Sequence, residues 1–450
     1  MAKRILSLAA SLGLTCAVLA AGAFDDGSSA AHAMLTRLCD DFGGRLTGSA
    51  ANRGALTRLA DELRALGLQP EVVPFKMPGW ERGADRVALV APFDRRLRVA
   101  ALAYTQPHRA FEAAVVDMGG GKPEEYPVDC KGRIGLLGAS TVLQLREIAR
   151  TAAERGMRGL LFINREGGGQ LLARSSSFTG EPLPFPAYSI TQEEGLWLQR
   201  LLRRGESVRV RMETKSRCRE IETANLVLRL PGRSPERVIV GAHFDSWDLG
   251  QGALDNGLGT AQLFALAHAL RGRDLARTVE LHWFNGEEQG LWGSRHAAAV
   301  LGDAPVVAMI NLDMVGVSIA VNALGDASLV PALERWNAAR EKPLSLGVQN
   351  INWFGSDHTP YQLAGVRAIT FNAPIPRESV RYYHDLADTI DKLPAQIVTD
   401  STAVIGDFVL AICADTGLRA ERRTPDATEK LFTAFGLDRR MRAIGYWPFN

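Results

Sequence analysis

From Glu220 to Cys413 short apolar runs alternate with longer helical patterns, and this alternation narrows the fold more than any other feature of the chain. "RVIVG" and "VVAMI" are short and rich in β-branched residues, which reads as buried strand, whereas "TAQLFALAHAL" reads as an apolar helix. Strand and helix in alternation build a largely parallel sheet flanked by helices, an α/β fold. In such a sheet the loops at the carboxyl edge of the strands converge on one crevice. Four strand-like runs lead to side chains of the type that bind metals: "RVIVGAH" to His243, "TVELHWFNGEE" to Glu287 and Glu288, "VVAMINLD" to Asp313 and "SVRYYH" to His384. The polar, glycine-rich loop "FDSWDLGQGALDNG" adds Asp255.

Two imidazoles with three or four carboxylates exceed what one zinc ion takes, and suit two ions that share a carboxylate. His243 and Asp255 are twelve positions apart across a loop containing Gly250, Gly252 and Gly257, which is flexible enough to bring both to one ion. Adjacent Glu287 and Glu288 point in opposite directions in extended chain, so one can bind metal while the other faces a water. That division serves hydrolysis, which needs a metal-acidified water and a free carboxylate to carry its proton to the leaving amine.

Outside this region the texture differs. Leu56, Leu59, Leu63 and Leu66 recur at helical spacing, with Gly67 as a stop. From about Asp85 to Glu213 short strands such as "AAVVD" and "GLLFIN" surround one amphipathic helix, "LQLREIARTAAERG". Lys3 and Arg4, the apolar run Ile5 to Leu19 and "AGA" before Phe24 predict an export signal, and the run is too short to remain as a membrane span. The net charge of +2, with Lys and Arg interspersed among Asp and Glu, argues against a nucleic-acid partner. In an exported chain Cys39, Cys130, Cys218 and Cys413 can form any of three complete pairings or stay free.

"HFDSWDLGQGALDNG", "NGEEQGLWGS", "NLDMVG", "GSDHTPYQLAG" and "YYHDLADT" resemble, in order, the motifs of the co-catalytic zinc exopeptidases, a family that includes leucyl aminopeptidases, glutamate carboxypeptidase and transferrin receptor. The tryptophan-bearing first motif is most similar to the carboxypeptidase Q branch. The middle block, with "VDCKGRIGLLG" and "AAERGMRGLLFIN", resembles the β-rich protease-associated domain inserted in several members. The resemblance implies two zinc ions bridged by Asp255, with His243 and Asp313 on one and Glu288 and His384 on the other. It implies Glu287 as general base, Asp245 as the partner of the second His243 nitrogen, and Tyr383 as a group polarising the substrate carbonyl. His358 either positions substrate or caps the following helix. Asn256 departs from the family pattern, in which many members carry a second acid after the bridging aspartate.

The expected organisation is a signal over 1–23, a catalytic domain split between 24–85 and 216–416, an inserted domain over 86–215 and a tail over 417–450. The expected activity is hydrolysis of small peptides or dipeptides, with aminopeptidase, non-catalytic binding protein and single-zinc glutaminyl cyclase as alternatives. The aromatic tail, Leu431 to Phe449, either packs back on the catalytic domain or forms a homodimer interface.

Overall fold

Two eight-stranded sheets organise the chain in a computed structural model that describes residues 25–139 and 145–449. The expected export signal lies outside the described residues. In the first sheet the spatial order is Glu71–Glu81, Arg217–Leu230, Leu275–Phe284, Gly232–His243, Val306–Asn311, Ala368–Asn372, Ala320–Asn322 and Val348–Gln349. The strand Gly232–His243 lies at the parallel centre, flanked by Leu275–Phe284 and Val306–Asn311, and the sheet turns antiparallel toward Glu71–Glu81. The fold is mixed α/β, as the alternation of elements requires.

The period-two alternation of a strand explains how the sheet is covered on both faces. Val238, Val240 and Ala242 face one side, where they join Leu35, Leu59, Leu266 and Phe408 from four helices in the principal core. Ile239 faces the other side, with Phe284, Met309 and Tyr361. Helix Ala50–Ala65 is capped by Ser49, whose side chain accepts from the Asn52 amide, and it buries Leu59 and Leu63. Gly67 follows at φ +78°, a left-handed conformation that suits glycine. Helix Ala395–Ala414 is long and apolar enough by composition to cross a membrane, yet it buries Ile405, Phe408, Val409 and Ile412 against the principal core.

The chain leaves the first sheet after Glu81, builds the second between Arg86 and Thr214, and returns at Arg217. The second sheet runs Arg95–Arg96, Arg86–Ala91, Arg209–Thr214, His108–Asp117, Ile134–Leu137, Gly159–Ile163, Ala187–Ile190 and Val99–Ala101. The two units are tied by the Arg82 guanidinium, which meets the Asp248 carboxylate of the first at 2.7 and 3.0 Å and donates to the Ala101 carbonyl of the second at 2.6 Å. The tail folds back: Phe432, Leu437 and Met441 are buried with Phe354 and Leu363, and Tyr446 and Trp447 pack beside them. All four described cysteines are free, three of them buried.

Candidate metal centre

The central strand delivers His243 at its carboxyl end, and the neighbouring strands end just short of their contributions. Asp313 follows the strand Val306–Asn311 by two residues. Glu287 and Glu288 sit in a tight turn after Phe284, in which the Gly290 and Leu291 amides both donate to the Glu287 carbonyl at 2.9 Å. This turn, and not extended chain, separates the two side chains. "SVRYYH" is likewise no strand: Pro376 starts a short helix, Arg377–Val380, and turns carry the chain to His384 at φ +59°.

These residues converge in two groups that share one carboxylate. His243, Asp255 and Asp313 form one group and Asp255, Glu288 and His384 the other, with ligand atoms inside each group within 4.8 Å of one another. His243 Nε2 lies 3.0 Å from Asp255 Oδ1 and 3.6 Å from Asp313 Oδ1. His384 Nε2 lies 2.9 Å from Asp255 Oδ2 and 3.1 Å from Glu288 Oε2. Both rings are held at the opposite nitrogen by a backbone carbonyl, His243 Nδ1 by Asp245 at 3.0 Å and His384 Nδ1 by Ala173 at 2.8 Å. A carbonyl only accepts, so the proton belongs on Nδ1 and the Nε2 lone pair faces the carboxylates, the state that binds a metal.

Asp245 differs from expectation, because its backbone carbonyl, not its carboxylate, meets His243; the carboxylate stands 3.8 Å away. That carboxylate instead accepts from the Glu287 and Glu288 amides at 3.2 and 3.3 Å, pinning the turn. Asn256 uses both ends of its amide. Its Nδ2 donates to the Leu312 carbonyl at 2.8 Å, while its Oδ1 accepts from the Gly259 and Met314 amides. The Asp255 loop is thereby tied to the segment bearing Asp313.

The electrostatics call for cations. Burial by itself would lower the His384 imidazole, but the Glu288 and Asp255 carboxylates raise it to about 10. Burial raises Glu288 to about 7 against the pull of His384, and it raises Glu287 well above the usual carboxylate range, with Glu288 and Asp313 adding to the effect. The field therefore favours positive charge beside Nε2, whether proton or metal. Glu288 Oε1 and Asp255 Oδ1 are buried without a hydrogen-bond donor, as atoms reserved for a metal would be. A nitrogen and carboxylate donor set of this kind fits two zinc ions, and unpaired buried charges would otherwise cost several kcal/mol each.

Tyr383 reaches the same place, 37% exposed and stacked on His384 with ring centroids 3.6 Å apart. A pocket of about 470 Å³ opens over Glu287, Glu288, Tyr383 and His384. His358 is not part of it. Its ring is fully buried, donates from Nε2 to the Trp353 carbonyl across 3.0 Å and packs edge-on to Trp353, and burial lowers it to about 4, so it is a neutral packing residue. The next residue upstream, Asp357, is buried near His243 and is raised to about 7 by burial, and sequence reading passed over it. Two further residues escaped notice. Asp388 accepts from the Leu254 and Asp255 amides, and Arg45, fully buried, donates to the carbonyls of Gly43, Phe244, Gln251 and Gly252. The acid in "YYHDLADT" was a signal for the first, but nothing local marks Arg45. Trp247 packs on Trp80 and His384, and Trp283 is core, donating to the Thr260 carbonyl.

A sequence model of Peptidase family M28 matches residues 225–409. Aminopeptidase YwaD of Bacillus subtilis (strain 168) is 25% identical over 398 residues, covering 85% of this chain and 83% of that protein. Carboxypeptidase Q of Bos taurus is 27% identical over 282 residues, covering 58% of this chain and 59% of that protein. A solved zinc aminopeptidase from Bacillus subtilis superposes with a TM-score of 0.72 at 22% identity, covering 89% of this chain and 97% of that one, which establishes the shared fold. Residues 225–409 thus carry a domain of peptidase family M28, the co-catalytic zinc exopeptidases.

Proposed function

We propose that this enzyme is exported and cleaves the terminal peptide bond of dipeptides and other short peptides. His243, Asp255 and Asp313 would hold one zinc ion and Asp255, Glu288 and His384 the other. One observation carries the reading: two ligand groups share Asp255, while Glu287 lines the same pocket with a carboxyl that belongs to neither group.

When bound, a zinc pair lowers the pKa of a water to about 7 and draws charge from the scissile carbonyl. Glu287 accepts the proton that this water gives up and returns it to the leaving amine. Its raised proton affinity, from burial and neighbouring acids, suits a group that must hold the proton between two steps. Asp245 keeps Glu287 in place through the backbone of its turn. The Tyr383 phenol donates to the carbonyl oxygen as charge builds there. Residues 86–215 act as an inserted protease-associated domain within a catalytic domain split over 24–85 and 216–416, and their side of the pocket restricts it to small substrates. Export rests on Lys3, Arg4 and the apolar run that follows.

A relative named as an aminopeptidase aligns with most of the chain, and one named as a carboxypeptidase aligns with more than half. Dipeptides satisfy both, since each product is a single residue. The test is metal content together with hydrolysis of a dipeptide panel blocked at either terminus, comparing wild type with Glu287→Gln. About two metals per chain are expected in both proteins, with activity in the variant lower by roughly 10²–10⁴-fold. A fully active variant would remove Glu287 from the mechanism.

A further inference from the structure

Residues 244–252 form the irregular stretch between the strand that ends at His243 and the turn that holds Asp255. Such a stretch has backbone carbonyls that no ladder or helix satisfies, and here three of them meet one side chain. The Arg45 guanidinium donates from Nε to the Phe244 carbonyl at 3.1 Å, from Nη1 to Gln251 at 2.7 Å and from Nη2 to Gly252 at 2.9 Å. A fourth bond, from Nη1 to the Gly43 carbonyl at 2.9 Å, fixes the group to its own segment. Phe244 follows His243 directly, and Gly252 precedes Asp255 by three residues. The Gly252 carbonyl also accepts from the Gly257 amide at 2.9 Å, which closes the turn around Asp255. Both ends of the loop are therefore held by one planar cation.

The backbone of the same segment takes part. The Arg45 amide donates to Ser246 Oγ at 3.0 Å, and the Arg45 carbonyl accepts from Asn52 Nδ2 at 2.9 Å. Asn52 and Thr47 in turn donate to Asn285 Oδ1, each at 2.9 Å, two residues before Glu287. One stretch, residues 43–52, thus braces the Asp255 loop on one side and the Glu287 turn on the other. Arg45 is fully buried, and all its acceptors among the described residues are carbonyls. A buried charge without an ion pair is costly, and what offsets the cost here is geometry. Four N–H donors reach carbonyls of two segments, whereas glutamine has two such donors and lysine three on a single atom.

A glycine-rich loop that the metal had to order would bind that metal weakly, because the cost of ordering is subtracted from the binding free energy. A loop already held at both ends leaves less to subtract. Resting on the two-metal reading of the site, we infer that Arg45 is a positioning residue that fixes the Asp255 loop for zinc and so sets zinc affinity, without taking part in proton transfer.

The test measures the zinc affinity of the full-length enzyme by competition with a chromophoric chelator, beside Leu-Ala hydrolysis and the unfolding midpoint. Arg45→Met is expected to bind zinc about 10–100-fold more weakly than wild type, the range for losing a group that orients metal ligands. Its kcat is expected to fall at limiting zinc and to return near the wild-type value at saturating zinc, with KM unchanged. Glu280→Gln, on strand Leu275–Phe284 and outside both metal groups, controls for stability alone: its midpoint should fall while its zinc affinity stays. Wild-type zinc affinity in Arg45→Met, or an equal loss of affinity in Glu280→Gln, overturns the proposal, and so does a kcat that stays low when both ions are bound. Should the methionine variant not fold, Arg45→Lys decides in its place: it keeps the charge and loses the fork, and zinc affinity equal to wild type overturns the assignment. Affinity needs no substrate, so the two readings separate. Weakened zinc binding in the variant with no hydrolysis by wild type would support the role of Arg45 and overturn the peptidase, whereas hydrolysis by wild type with unchanged affinity in the variant would do the reverse.

Discussion

At the scale of single residues, the most informative departure from the family pattern is Asn256. An amide can donate to the Leu312 carbonyl while accepting from two backbone amides, as an ionised carboxylate cannot, and this residue does both in a fully buried position. Asn256→Asp would set a carboxylate oxygen against a carbonyl oxygen. The expected cost is about 1–3 kcal/mol at pH 7, the penalty of an unsatisfied buried polar group. It should shrink in acid, because a protonated carboxyl can donate again. Denaturant unfolding at pH 7 and pH 4 measures both, and equal stability of variant and wild type at pH 7 would refute this use of the amide. The departure was legible in the sequence as a change of residue, but its purpose was not, since the partner carbonyl lies over fifty positions away. A separation of 199 to 207 positions hid Arg45, whose acceptors at Phe244, Gln251 and Gly252 have no local trace. Metal-binding residue types at the ends of apolar runs were legible because their chemistry is rare in such company. His358 misled for the opposite reason: a histidine in a polar motif gives no sign of which way its ring turns.

At the scale of elements, the strands were readable from their apolar periodicity, but the connections after them were not. "SVRYYH" has the residues of a strand and folds as helix and turn, because Pro376 lacks the amide a strand would use and starts a helix instead. One ionic cluster, centred on the buried Glu280 carboxylate, binds the strands to each other. Glu280 on strand Leu275–Phe284 meets Arg229 at 3.0 Å on one neighbour and Arg237 at 3.0 Å on the other, with His282 at 3.1 Å and Tyr361 on the far side of that ring. Burial alone would raise its carboxyl, but His282 and the two arginines lower it to about 2. A carboxyl depressed in the folded state stabilises above its unfolded pKa of about 4.3, and the contribution fades as pH falls toward 2. Glu280→Gln is therefore expected to cost on the order of 2–3 kcal/mol at pH 7, with the gap to wild type closing below pH 4. A gap that is constant with pH would mean that packing, not charge, accounts for the loss.

At the scale of the whole molecule, the metal groups are where the two sheets meet. Three strands of the first sheet supply His243, Glu288 and Asp313 through their carboxyl ends, while the second unit reaches in through Ala173 to hold His384. Metal and domain contact are thus linked, since a ligand that binds only the native state stabilises it by about 2.7 kcal/mol at a concentration 100-fold above its Kd. Chelation is expected to lower the unfolding midpoint, and the loosening should be local. Hydrogen exchange should speed up in the loop 245–257, in 383–388 and in 171–173, whose amides donate to Asp385 and His384. The strands Arg86–Ala91 and Arg209–Thr214, paired with each other in the second sheet, should exchange as before. Faster exchange spread evenly over both sheets would show that the cations hold the fold as a whole. No change in 171–173 would mean that the second unit is docked independently of them.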